Sequence, residues 1–201
     1  MEAKIFYKNL YSKKDTINSV DLNKKIPFLD VPKLTNKIRD TLEGKISYSE
    51  LTAAIKRMKS NKSPGSDGYT SVFFKFFWID LGKFVLRSIN YGYNMGEMSV
   101  SQKRGIITFL PKGDKPRQYM KNWRPISLLN TIYKLGSSCI TERLKSILSL
   151  LINNDQTGFI PGRYIGENTR LIYDILLYTE EHDIPGILLL IDFEKAFDSI
   201  S

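Results

Sequence analysis

Asp192 stands at the tip of an unbroken apolar run, Ile187-Leu188-Leu189-Leu190-Ile191, and a second acid, Asp198, follows six residues later. A run without polar alternation predicts a strand buried on both faces. An ionised carboxylate at the end of such a strand needs a partner, because an isolated charge is costly to desolvate. A metal ion would satisfy Asp192, and so would a role as the N-cap of a helix begun by FEKAFDS. Six residues separate the two acids on a helix, so they do not read as a matched acid–base pair. Asp198 reads as a structural hydrogen-bonding residue near a turn. The chain has one cysteine, Cys139, and one histidine, His182. These exclude an internal disulfide, a Cys/His zinc site and a Ser-His-Asp triad. Any metal would be held by oxygen, which favours Mg²⁺ or Mn²⁺. Cys139 lies among helix-like apolar residues and reads as a packed thiol.

The second set of chemistry-bearing residues is basic. Ten Lys and Arg lie between Lys103 and Lys145, against only Asp114 and Glu142, and Tyr119 and Trp123 interleave with them. Such a mixture suits phosphates and stacked bases, although a basic hairpin can also serve only to keep its edge from pairing. The formal charge of the 201 residues is +9, which attracts a polyanion. Two glycine-containing strings, SPGSDG and QTGFIPGR, could bring backbone close to a phosphate or simply end a helix.

The elements that must position these residues alternate without a βαβ repeat, which indicates an α+β fold. Residues 1–45 read as a partly helical lead-in, interrupted by Pro27 and Pro32. SYSELTAAIKRMK predicts a helix, with Ser47 and Glu50 at capping-box spacing and Leu51, Ile55 and Met58 on one face. Pro64 and Gly65 suit the centre of a type II turn. The aromatic stretch from Ser71 to Tyr93 predicts a long, largely buried helix. GIITFLP and WRPISLLN predict a hairpin whose regularity Pro111 and Pro125 limit. TIYKLGSSCITERLKSILSLLI predicts a helix facing the core through Ile132, Leu135, Cys139 or Ile140, and Leu144. GENTRLIYDILLYTEEHD predicts another, ended by Pro185 and Gly186. The opening residues lack the apolar core of a signal peptide, and IPGILLLI is too short to span a bilayer. The chain therefore reads as soluble and intracellular, with no membrane partner. The sequence carries no sign of oligomeric state.

In their order, NKSPGSDGYTSVFFKFFW, LPK…NWRPISLLNTIYKL, DQTGFIPGR and LIDFEKAFDSI resemble the reverse transcriptase of non-LTR, LINE-type retrotransposons. The resemblance runs from about residue 46 to the last residue, and IFYKNLYS resembles the segment that precedes the polymerase domain in that family. It implies the fingers and first part of the palm of a right-hand polymerase over residues 46–201. Asp192 would then be the first metal-binding aspartate, with Phe193 lending a backbone carbonyl. Phe197 would sit under the sugar of the incoming nucleotide and exclude a ribose 2′-hydroxyl. Lys112 and Arg124 would approach the dNTP triphosphate, and Gly65, Gly68 and Arg163 would lie along the template.

The implied partners are an RNA template, a DNA primer and dNTPs. The implied cofactor is Mg²⁺ or Mn²⁺, bound in a complete palm, and the implied setting is a nuclear or cytoplasmic ribonucleoprotein. The aromatic-x-Asp-Asp motif that carries the family's other two metal aspartates does not occur in these residues, so the 201-residue chain alone is expected to be inactive. Two other readings are a non-catalytic RNA- or DNA-binding remnant and an RNA-dependent RNA polymerase. Phe197 argues against the second.

Overall fold

A computed structural model describes residues 2–12 and 32–192. The chain divides into two units, Lys33–Leu151 and a second formed by Met1–Pro32 with Ile152–Ser201.

The core of the Lys33–Leu151 unit is helical. Helix α2 (Asn36–Leu42) is short and buries nothing. Helix α3 (Tyr48–Arg57) starts at the expected capping box. The Ser47 side chain accepts from the Glu50 amide, and Glu50 Oε2 accepts the Ser47 amide at 2.8 Å, so two otherwise orphaned N–H groups are satisfied. Leu51, Ala54 and Ile55 then fall on one face and are buried. The aromatic stretch forms two helices, α4 (Ser71–Phe76) and α5 (Trp78–Met95), divided at Phe77. Helix α5 turns Trp78, Gly82, Val85, Ile89 and Gly92 inward, a single stripe of heptad-like spacing.

The expectation of a largely buried aromatic helix is corrected here. One stripe can face the core, and Phe76, Ile79 and Phe84 point outward at 79%, 88% and 65% exposure. Helix α5 ends on Gly96 at φ 74°, the left-handed cap that glycine adopts without strain.

A one-turn helix α6 (Val100–Lys103) leads into strand β1 (Gly105–Pro111). Strand β2 (Trp123–Leu129) pairs with it antiparallel, from Gly105↔Leu129 to Pro111↔Trp123. Pro125 sits inside this ladder opposite Phe109, so the prolines leave the seven-residue register intact. Helix α7 (Thr131–Lys145) follows, and then α8 (Leu148–Leu151). Leu135 and Cys139 are the buried hydrophobic side chains of α7, beside buried Thr131 and Gly136, with Ile132 partly buried against the core. Of the two alternatives at that position the core takes Cys139 and leaves Ile140 half exposed, while Leu144, also half exposed, departs from the expected face. Burial pushes the Cys139 thiol above its ordinary pKa, consistent with packing and not reactivity.

Helices α3, α5 and α7 together bury Leu51 and Leu135 completely and Ile55 almost so. Each such aliphatic side chain contributes about 1.5–3 kcal/mol. The α7 residue Arg143 ties this core to the chain before it. Its guanidinium donates to both carboxylate oxygens of Glu50, at 2.6 and 3.0 Å, and to the carbonyls of Leu42, Gly44 and Lys45.

Among the described residues of the second unit the helices are α1 (Glu2–Leu10) and α9 (Gly166–Glu181). Residues 184–192 form no ladder and no helix. The buried strand expected at Ile187–Ile191 is therefore corrected. Its five side chains are 54–95% exposed, and the sheet formed by the described residues holds only β1 and β2. An apolar run becomes a strand only when a neighbour takes up its N–H and C=O groups, and no described segment does so.

Candidate nucleic-acid and nucleotide interface

The hairpin is the most completely formed of the sequence-derived site elements. Strand alternation puts Leu110, Thr108 and Ile106 of β1 on the same face as their partners Arg124, Ile126 and Leu128 of β2. Arg124 is exposed and, among the described residues, its side chain has neither a hydrogen bond nor an ion pair. Its guanidinium therefore keeps its planar fork for an outside acceptor, held on a paired strand instead of a loop.

Lys112 behaves differently. Its amide donates to the Asn122 carbonyl at 2.8 Å, adding one more bond beyond the ladder, and its ammonium donates to the Lys121 carbonyl at 2.9 Å. The connecting loop is further tied by Trp123 Nε1, which donates to Arg117 O at 2.8 Å, and by Asn122, which donates to Pro116 O at 2.7 Å. The tip is thus built, with Lys112 half-buried as part of its closure.

The SPGSDG loop docks at the base of the same hairpin. Asn130, 5% exposed, links three segments. Its Oδ1 accepts from Ser66 Oγ and the Asp67 amide, and its Nδ2 donates to Ser101 O at 2.9 Å. Thr131 Oγ1 donates to Tyr69 O at 2.7 Å, and Lys134 reaches Ser63 O. The turn closes from the Gly68 amide to the Gly65 carbonyl at 3.2 Å. The expected type II turn centred on Pro64 and Gly65 is not formed, since the positive φ belongs to Gly68, at 75°, and not to Gly65.

Gly65 is needed for a different reason. A Cβ there would overlap Asn130 Oδ1 and the Asn130 backbone nitrogen and lie 2.6 Å from the Leu129 carbonyl carbon. Gly65→Ala should therefore cost about 1–3 kcal/mol, as overpacking against backbone does. Gly68→Ala meets open space and should cost only about 1 kcal/mol for its left-handed backbone. Urea unfolding of the two variants checks this order, and equal stability of Gly65→Ala and the parent would contradict it. Asn130 itself was not singled out from the sequence. As the residue before α7 it looks like an ordinary N-cap, yet its side chain makes no capping bond.

In the second unit Arg163 closes its own loop. The guanidinium donates to the carbonyls of Ile152, Asn153 and Gln156 and to Asn154 Oδ1. Its donors serve the Ile152–Arg163 loop, a role its place in GFIPGR did not suggest. Asp192 is exposed. Phe193 and Phe197, along with Asp198, lie outside the described residues.

Mg²⁺ requires about six oxygen ligands. Among the described residues no three His, Cys, Asp or Glu side chains gather into a metal-holding group. Asp192, exposed and without a hydrogen bond or ion pair among those residues, fits as one ligand of such a site.

The second half of the chain, from Leu110 through β2 to Asp192 and beyond, matches the reverse transcriptase (RNA-dependent DNA polymerase) family over residues 110–201. The reverse transcriptase match takes in Lys112, Arg124, Arg163 and Asp192, whereas Gly65 and Gly68 precede it. Relatives extend the likeness across the chain. The transposon TX1 uncharacterized 149 kDa protein of Xenopus laevis is 39% identical over 198 residues, 98% of this chain and 15% of the relative. The probable RNA-directed DNA polymerase from transposon BS of Drosophila melanogaster is 27% identical over 158 residues, 77% of this chain and 17% of its own length. The retrovirus-related Pol polyprotein from type-2 retrotransposable element R2DM of Drosophila melanogaster is 26% identical over 156 residues, 78% of this chain and 14% of that protein. The chain thus spans about one-sixth of the length of these relatives, and the resemblance to non-LTR reverse transcriptases noted from its motifs holds. No helix among the described residues is long and apolar enough to cross a membrane.

Proposed function

We propose that residues 46–201 are the fingers and the first part of the palm of a LINE-type RNA-directed DNA polymerase, with residues 1–45 as the lead-in. In this reading the protein engages an RNA template, a DNA primer and dNTPs. The observation that carries it is Arg124: an exposed guanidinium without a hydrogen bond or ion pair among the described residues, on a fully registered hairpin within reverse transcriptase sequence.

Each residue then has a defined task. Arg124 binds two oxygens of the triphosphate through its fork, and Lys112 adds charge at the hairpin tip while holding that tip closed. Gly65 and Gly68 lie along the template on a loop that Asn130 fixes to the base of the hairpin. Arg163 serves the template path by keeping the Ile152–Arg163 loop folded. Phe197 sits beneath the sugar and excludes the 2′-hydroxyl. Asp192 and the Phe193 carbonyl would hold Mg²⁺ or Mn²⁺, which when bound stabilises the charge on the attacking and leaving oxygens.

The test is RNA affinity against salt. Neutralising several phosphates of a single strand gives a log–log slope of about −0.7 for each contact. The chain should show a slope of about −2 or steeper between about 50 and 200 mM salt, and Arg124→Ala should make it shallower by about 0.7. A flat response of the unaltered chain would remove the basis for the interface.

A further inference from the structure

We propose that Phe159 is a displayed stacking residue that takes an unpaired base of a single-stranded nucleic acid. The inference deepens the RNA-binding reading above and rests on it.

Phe159 combines two features that stability alone disfavours. Its φ is 64°, in the left-handed region where a bulky residue is a true outlier. The residue is 106% exposed, and among the described residues its ring makes no aromatic contact. The residues around it follow the opposite pattern, with Thr157 at 4% and Ile160 at 8% exposure. The chain therefore turns inward on both sides of a ring that it turns outward.

The loop that does this is fixed. Arg163 draws in the carbonyls of Ile152, Asn153 and Gln156, and the Arg163 amide donates to Ile160 O at 3.2 Å. Asn168 Nδ2 donates to Asp155 O at 2.9 Å, and the Asp155 amide to Asn153 Oδ1 at 3.0 Å. A backbone outlier kept in place by so many bonds points to a function for the displayed side chain. A ring open on both faces matches a nucleobase, which stacks by its π-face whatever its identity. The +9 charge of the chain and the cationic Arg163 four residues away complement the phosphates on either side of that base. Tyr164, 71% exposed, offers a second ring on the same loop.

The experiment measures binding of the 201-residue chain to a single-stranded RNA of about 12 nucleotides and to a strand of abasic sites of the same length. Phe159→Asn should weaken RNA binding by about 5- to 100-fold and leave binding to the abasic strand unchanged. Its thermal midpoint should equal or exceed that of the parent, because Asn tolerates left-handed φ. In a Phe159→Trp variant the added indole fluorescence should be quenched by the RNA and not by the abasic strand. RNA affinity unchanged in Phe159→Asn, or lost equally for both strands, would overturn the assignment while the RNA-binding reading stands. A lowered midpoint would also overturn it, since the ring would then be structural. No RNA binding by the unaltered chain would overturn both.

Discussion

Arg143→Ala should lower the unfolding free energy of the Lys33–Leu151 unit by about 3 kcal/mol, the cost of stranding one member of a partly buried ion pair. The side chain is 16% exposed and its Glu50 partner 32%. Its removal leaves that carboxylate without its bidentate partner and the Leu42, Gly44 and Lys45 carbonyls without a donor. Arg143→Lys should recover less than half of the loss, because one ammonium cannot span five acceptors.

The same contact gives a pH signature. The Arg143 hydrogen bond, supported by the Ser47 amide and hydroxyl, holds the Glu50 carboxyl down to about 2 from an ordinary 4.5. The unfolded chain therefore binds the proton more readily. The associated stability is complete above the ordinary value and is lost as pH falls through about 2. After allowance for solvent screening this amounts to about 1–3 kcal/mol. Urea unfolding at several pH values should show this acid loss in the parent and much less of it in Arg143→Ala. Equal acid sensitivity in the two proteins would contradict the role given to the pair.

What was legible in the sequence was local. Ser47 and Glu50 announce the start of α3 through reciprocal bonds that involve only neighbours, and the structure forms both. GIITFLP and WRPISLLN carry enough β-prone residues, bounded by turn chemistry, to give the hairpin. What was not legible depends on partners distant in sequence. Gly65 reads as a turn glycine, but its requirement comes from Asn130, 65 residues on. Arg143 reads as a member of the basic stretch and Arg163 as a residue along the template, and their guanidinia are taken up by carbonyls and, for Arg143, by Glu50. Ile187–Ile191 has the composition of a buried strand, but pairing and burial are properties of two segments, and composition describes one. Arg124 is the converse case: it was assigned to an outside phosphate from its motif, and the structure leaves it exposed and without an internal partner among the described residues.

Asp192→Ala should reduce DNA synthesis by about 10³-fold or more in a polymerase that contains this chain, the scale of losing a group on which the reacting centre depends. The exposed carboxylate makes no hydrogen bond or ion pair among the described residues, so its loss should leave folding and RNA affinity nearly unchanged. That separation marks a catalytic role and not a structural one. The most direct measurement is primer extension on an RNA template with Mg²⁺ and dNTPs. It uses a recombinant protein in which Ser201 is followed by the corresponding remainder of the Xenopus laevis relative, with Asp192 intact or replaced by Ala, and it records RNA affinity in parallel. The expected result is extension by the Asp192 protein and its loss in Asp192→Ala at equal RNA affinity. Extension by Asp192→Ala at the parent rate, or none by either protein, would contradict the assignment of this chain to reverse transcriptase chemistry.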